Sequence, residues 1–166
     1  GGIGMAEKSI FWTTGTEGDG ANPYTEAEVV AWLRRTFGSG VLYGYGNGLV
    51  VSGTSSPVRI ATGAASVDGF PYESDAAVQI AIPTPAANTR VGRIVVRANW
   101  SARTCRITRI AGTEGAGPPS LTQNRGSIWD MPLASVSITT GGVITVTDER
   151  EFAHFTTQVV TENLAN

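Results

Sequence analysis

Cysteine occurs once in these 166 residues, at Cys105, and histidine once, at His154. A single cysteine excludes an intrachain disulfide and any cysteine-built zinc site. Cys105 lies among strand-like residues and reads as a small buried hydrophobe. A lone histidine leaves one choice for a Ser-His-Asp or Cys-His arrangement. His154 is flanked by Phe152 and Phe155, which points to packing or solvation. Three copies of it around a threefold axis could in principle bind an ion, but no metal or other cofactor is expected. Charge is also scarce, at 16% against the ~25% usual for globular domains. The net charge of −2 gives no basic field for nucleic acid. No apolar run reaches the ~18 residues of a membrane span, and no signal peptide is evident, so membrane insertion is not expected.

What is present is glycine, β-branched residues and short alternating runs. Gly1–Gly4 before Met5 reads as a remnant outside the fold. Residues 5–40 form an N-terminal arm and a helix. The arm carries Ser9-Ile10-Phe11-Trp12, an apolar run suited to docking on the body or on a neighbour, and then the turn-rich Gly15–Gly20. Thr25 and Glu28 have capping-box spacing. Tyr24 and Val29 sit where a hydrophobic staple would. Val29, Leu33 and Phe37 recur on one face, with Val30 beside them. Arg34 and Arg35 suit a C-terminal turn, and Gly38 a stop. The spacing predicts a helix over 26–37.

From residue 41 to 150 the period is two. Strands are expected at Leu49–Val51, Val58–Ile60, Val78–Ile82 and Arg90–Trp100, followed by a turn at Ser101-Ala102 and a strand over Arg103–Ile110. In Arg90–Trp100, Ile94, Val96, Ala98 and Trp100 point one way, with Arg93, Val95, Arg97 and Asn99 opposite. The arginines at 90, 93, 97, 103, 106 and 109 read as the solvent side of a hairpin. Lost alternation near Thr108–Ile110 suggests a bulge or strand end. Gly112–Pro119 is a loop by composition. Ala134, Val136 and Ile138, Gly141-Gly142 and Val143–Thr147 spell a second hairpin. With turn residues throughout and no second helix-plus-strand unit, the fold class is mainly β: an antiparallel β-sandwich, jelly-roll-like, with one N-terminal α-helix. Residues 151–166 form a C-terminal tail, extended or helical, that leaves the domain.

Chemical motifs are weak. Asp68, Glu73 and Asp75, or Asp148, Glu149 and Glu151, could supply the paired carboxylates of a glycosidase or polysaccharide depolymerase. The first set reads as a loop and the second as solvated strand ends. Gly44-Tyr45-Gly46-Asn47-Gly48 lacks the Lys-Ser/Thr of a phosphate loop and reads as a glycine-rich turn. Asn99-Trp100-Ser101 matches a glycosylation sequon, a pattern common by chance. Tyr43, Tyr45, Tyr72, Trp100 and Trp129, with Trp12, are the aromatics available to stack on sugar rings.

The segment from Pro57 to Glu151 resembles a domain of the tail-fibre, baseplate and minor tail proteins of tailed bacteriophages. The resemblance lies in Val58–Gly63, Val67–Tyr72, Asn88–Arg97, Ile110–Gly115, Pro119–Gln123, Trp129–Ala134 and Thr140–Arg150. It implies a non-enzymatic virion structural protein, made in the bacterial cytoplasm and residing in the phage tail. Its partners would be other tail proteins and host surface glycans. It also implies a fibrous, trimeric region downstream, and gives Gly112–Glu114 and Trp129-Asp130 turn and packing roles. Low charge and an apolar tail without a core partner fit a homotrimer on their own terms. Phe152, Phe155, Val159 and Leu164 are the expected threefold contacts. The alternative function is a lectin-like carbohydrate-binding module.

Overall fold

A computed structural model of the chain describes residues 25–153. The one helix among them, α1, runs Glu26–Phe37 as the spacing predicts. Its capping box is formed: the Glu28 amide donates to the Thr25 hydroxyl and the Thr25 amide to the Glu28 carboxylate, at 3.3 and 2.7 Å. Gly38 ends it at φ 64°, donating its amide to the Arg34 carbonyl. The stripe expected from Val29, Leu33 and Phe37 is only partly buried. Val30 is the residue the helix buries.

Eleven strands follow: β1 (Gly40–Val41), β2 (Val51–Ser52), β3 (Val58–Ile60), β4 (Gly63–Val67), β5 (Phe70–Ser74), β6 (Val78–Ile80), β7 (Arg90–Asn99), β8 (Thr104–Ile110), β9 (Gln123–Asn124), β10 (Ile128–Ile138) and β11 (Ile144–Asp148). They make three antiparallel sheets, ordered β1-β4-β5, β2-β3-β6 and β11-β10-β7-β8, with β9 paired to β10. Val41, Val51, Ile60, Val67, Ile94, Leu133 and Ile138 meet in one core to which all three sheets contribute. The chain is therefore mainly β, with antiparallel sheets and one helix.

β10 is the central strand of the large sheet and differs most from the sequence expectation. Trp129 and Asp130 lie on this strand, not in a turn. Register against β7 slips between Pro132 and Ala134, leaving Leu133 as a bulge. A bulge shifts the alternation by one residue. Met131 and Leu133 face the core before it, and Ala134, Val136 and Ile138 after it. The bulge is here; at Thr108–Ile110 β8 pairs with β7 in unbroken register and ends at Ile110, so the lost alternation there marks the strand end.

Arg103 and Arg106 are exposed as expected of a solvent face, but Arg93 and Arg97 depart from it. Arg93 and Arg97 flank a fully buried Val95 on β7 and are themselves mostly covered. Arg97 lies directly opposite Asp130 and donates two bonds to its carboxylate, at 2.6 and 3.0 Å. Arg93 donates to Glu149 and to the Pro119 carbonyl. The Gly112–Pro119 loop and its continuation thus roof the second face of the sheet, and guanidinium stems beneath a loop need a carboxylate each. Gly112 allows this close approach, because a Cβ there would overlap the Val91 carbonyl.

Glu114 anchors the same loop. Its carboxylate accepts the amides of Ala86, Ala87 and Asn88 at 2.8, 2.9 and 3.1 Å. Those three amides hold its pKa below the usual glutamate value. A carboxylate whose pKa falls on folding contributes stability above its unfolded pKa and loses it as pH drops through the folded one. The amide resonances of Ala86–Asn88 are therefore expected to shift with a midpoint below that of a free glutamate. A midpoint at or above the free value would show that the anchor is not formed.

Candidate functional site

Two candidate sets from the sequence converge on one surface, at the C-terminal end of the described residues. β1 is short and buried, and the chain turns outward at Tyr43, which is 87% exposed. Gly44–Gly48 follows as the expected glycine-rich turn, with positive φ at Gly44, Gly46 and Gly48. At the other end of the chain, Arg150 leaves β11 and reaches back. It donates to the Gly48 carbonyl at 2.7 Å and to the Asp148 carboxylate at 2.8 and 2.6 Å. This pairing holds the Asp148 pKa below its ordinary value.

Residues 151–153 then run beside β1. The Val41 amide donates to the Glu151 carbonyl and the Ala153 amide to the Val41 carbonyl, both at 2.8 Å, in a parallel bridge. Gly40 permits it, since a Cβ there would meet the backbone of Phe152 and Ala153. Phe152 therefore has partners in its own chain, contrary to the expectation from sequence. Its ring meets Tyr43 edge-on at 5.9 Å and lies 5.6 Å from the Arg150 guanidinium. It remains 41% exposed. Tyr43, Phe152 and the Gly48 backbone thus form an aromatic patch whose rings are held but not covered by described residues.

The remaining expected residues fall in three groups. Tyr45 is 45% exposed, and its hydroxyl donates to Glu73, which pushes the phenol pKa up. Tyr72, Trp100 and Trp129 are half-buried, each packed on one side against the core. Trp12, His154, Phe155, Val159 and Leu164 lie outside the described residues, as do the Tyr24 staple and the 1–4 remnant.

Asp68, Glu73, Asp148 and Glu149 are tied up in structure, while Asp75 and Glu151 are exposed. Asp68 is 2% exposed and lies in the β4–β5 hairpin turn, where Asp68 and Gly69 have φ 50° and 89°. Asp-Gly between two short apolar strands is the signature of such a turn, and it marks these residues as a hairpin tip and not an open loop. The Asp68 carboxylate is ion-paired with Arg34 of α1 at 2.8 Å, whose Nε donates to the Asp68 carbonyl at 3.2 Å, and it accepts from Arg125 at 2.9 and 2.8 Å. A Cβ at Gly69 would collide with the Val30 carbonyl, so the helix sits directly on this turn. Asp148 and Glu149 are bound to Arg150 and Arg93. Among the described residues no group of three His, Cys, Asp or Glu could hold a metal, and no helix is long and apolar enough to cross a membrane. Cys105 is half-buried, and burial raises its pKa to about 11.

The fold and this surface define a mainly β domain whose candidate contact area is aromatic and lies where residues 151–153 run beside β1. No family model and no curated protein matches the chain. Among solved structures, the crystal structure of the gene 22 product of the Bacillus subtilis SPP1 phage is similar, at TM-score 0.47 and 10% identity, over 75% of this chain and 92% of that one.

Proposed function

We propose that this chain is a non-enzymatic structural domain of a tailed-phage virion, in a tail fibre or baseplate, that assembles as a homotrimer. The observation that carries the reading is the Tyr43–Phe152 patch. Two aromatic rings held in edge contact, yet open to solvent, form the kind of rigid apolar anchor that interfaces use. The motif set from Val58 to Arg150 supports a tail protein, and the scarcity of charge supports a surface that partners cover. We read the large sheet against the two small ones as a sandwich. Antibodies to the chain should decorate the tails of intact particles in negative stain. Label found in lysates of infected cells but never on particles would contradict the proposal.

A second reading has its own observation. Tyr43 is exposed enough to stack on a sugar ring, with Tyr45 two residues away. On a glycan array, loss of signal in a Tyr43→Ala variant that still assembles would assign a carbohydrate site. Absence of signal from the native protein would remove it.

A further inference from the structure

The Phe70 and Trp100 rings meet edge-on at 4.9 Å and divide two clefts. One, of about 540 Å³, opens over Ala98 and Cys105. The other, of about 530 Å³, opens over Ala27, Val30 and Arg125. Both are bounded by Glu26, Phe70 and Trp100, so they form one two-lobed groove beneath the start of α1. We infer that this groove is the seat of the chain's own N-terminal arm, with Phe11 and Trp12 as its anchors.

Two observations select that occupant. Thr25, the first described residue, lines the second lobe, so the preceding chain starts at the groove. The tether from Trp12 to Thr25 is short and contains Gly15, Gly18 and Gly20. A tether of that length reaches at most roughly 45 Å, and short tethers give millimolar effective concentrations. An anchor on the same chain is therefore favoured over one from a second copy. The assignment does not depend on how many copies assemble, so it stands or falls apart from the virion proposal.

The test places p-benzoylphenylalanine at position 12 of the full-length protein and irradiates an equal mixture of isotopically light and heavy chains. Crosslinks on Phe70, Trp100 or their neighbours within chains of one isotope are expected. Mixed-isotope crosslinks would overturn the assignment in favour of arm exchange, and crosslinks elsewhere would overturn it outright. A second measurement covers the chance that the larger ring does not fit. Labelling of Cys105 should be about tenfold faster in the full-length Phe11→Ala/Trp12→Ala variant than in the native protein, because covering a thiol slows its reaction by its opening equilibrium. Equal labelling rates, with no intrachain crosslink, would exclude the arm from the groove.

Discussion

Replacing Asp130 with Ala is expected to lower the free energy of unfolding by about 3 kcal/mol. Asp130 is fully buried and accepts from three donors: two Arg97 nitrogens and the Thr122 amide at 3.0 Å. Its bond to Arg97 raises the guanidinium's already high pKa, so the arginine cannot escape by losing its proton. Removing the carboxylate leaves a largely covered charge and an orphaned amide beneath the 112–122 segment. The range for breaking such a pair extends to ~5 kcal/mol, and Arg97's 30% exposure argues for the lower part because the freed guanidinium can turn toward water. Asp130→Asn keeps the volume and one acceptor and should cost about half as much. An Arg97→Met/Asp130→Leu pair should recover most of the loss, since a matched apolar pair removes both charges. Denaturant midpoints of the three variants decide it. An alanine variant within 1 kcal/mol of native, an order-of-magnitude bound, would show that the pair is not load-carrying.

Leu133→Ala is the second large effect, also about 3 kcal/mol, through a different cause. Leu133 is the bulged residue of β10 and is fully buried in the core. Its side chain fills the point where the alternation changes phase between Met131 and Ala134. Truncation loses the transfer term and leaves a cavity that the paired backbones of β7 and β11 cannot collapse to fill. For a domain of this size the loss corresponds to a fall in Tm of about 10 °C, readable by calorimetry. The hydrogen bond from the Glu149 amide to the Leu133 carbonyl should survive, because it needs only backbone. A small change in Tm would mean that the bulge is plastic.

These two residues also show where the sequence was legible. Helix α1 was readable to its end residues because Thr25, Glu28 and Gly38 act locally. The 139–143 hairpin was readable for the same reason. The first half of β10 was hidden by Pro132, which argues against a central strand and is tolerated here because it adjoins the bulge. Arg93 and Arg97 looked solvated because alternation assigns faces without saying what covers them, and the cover is a loop distant in sequence. The aromatic patch had the same difficulty. Tyr43 and Phe152 were both singled out, for different roles, but they are 109 positions apart and only the parallel bridge at Val41 brings them together. The Asp68–Gly69 turn could have been read from its dipeptide, whereas its arginine partners could not, since they come from α1 and from the β9–β10 loop.

Sedimentation equilibrium of the full-length chain at micromolar concentration, beside a Tyr43→Ser/Phe152→Ser variant, tests the assembly proposal most directly. The native protein should have a mass three times 17.3 kDa, and the variant should fall toward the single-chain mass. A native protein that sediments as one copy, or a variant that stays trimeric, would contradict it.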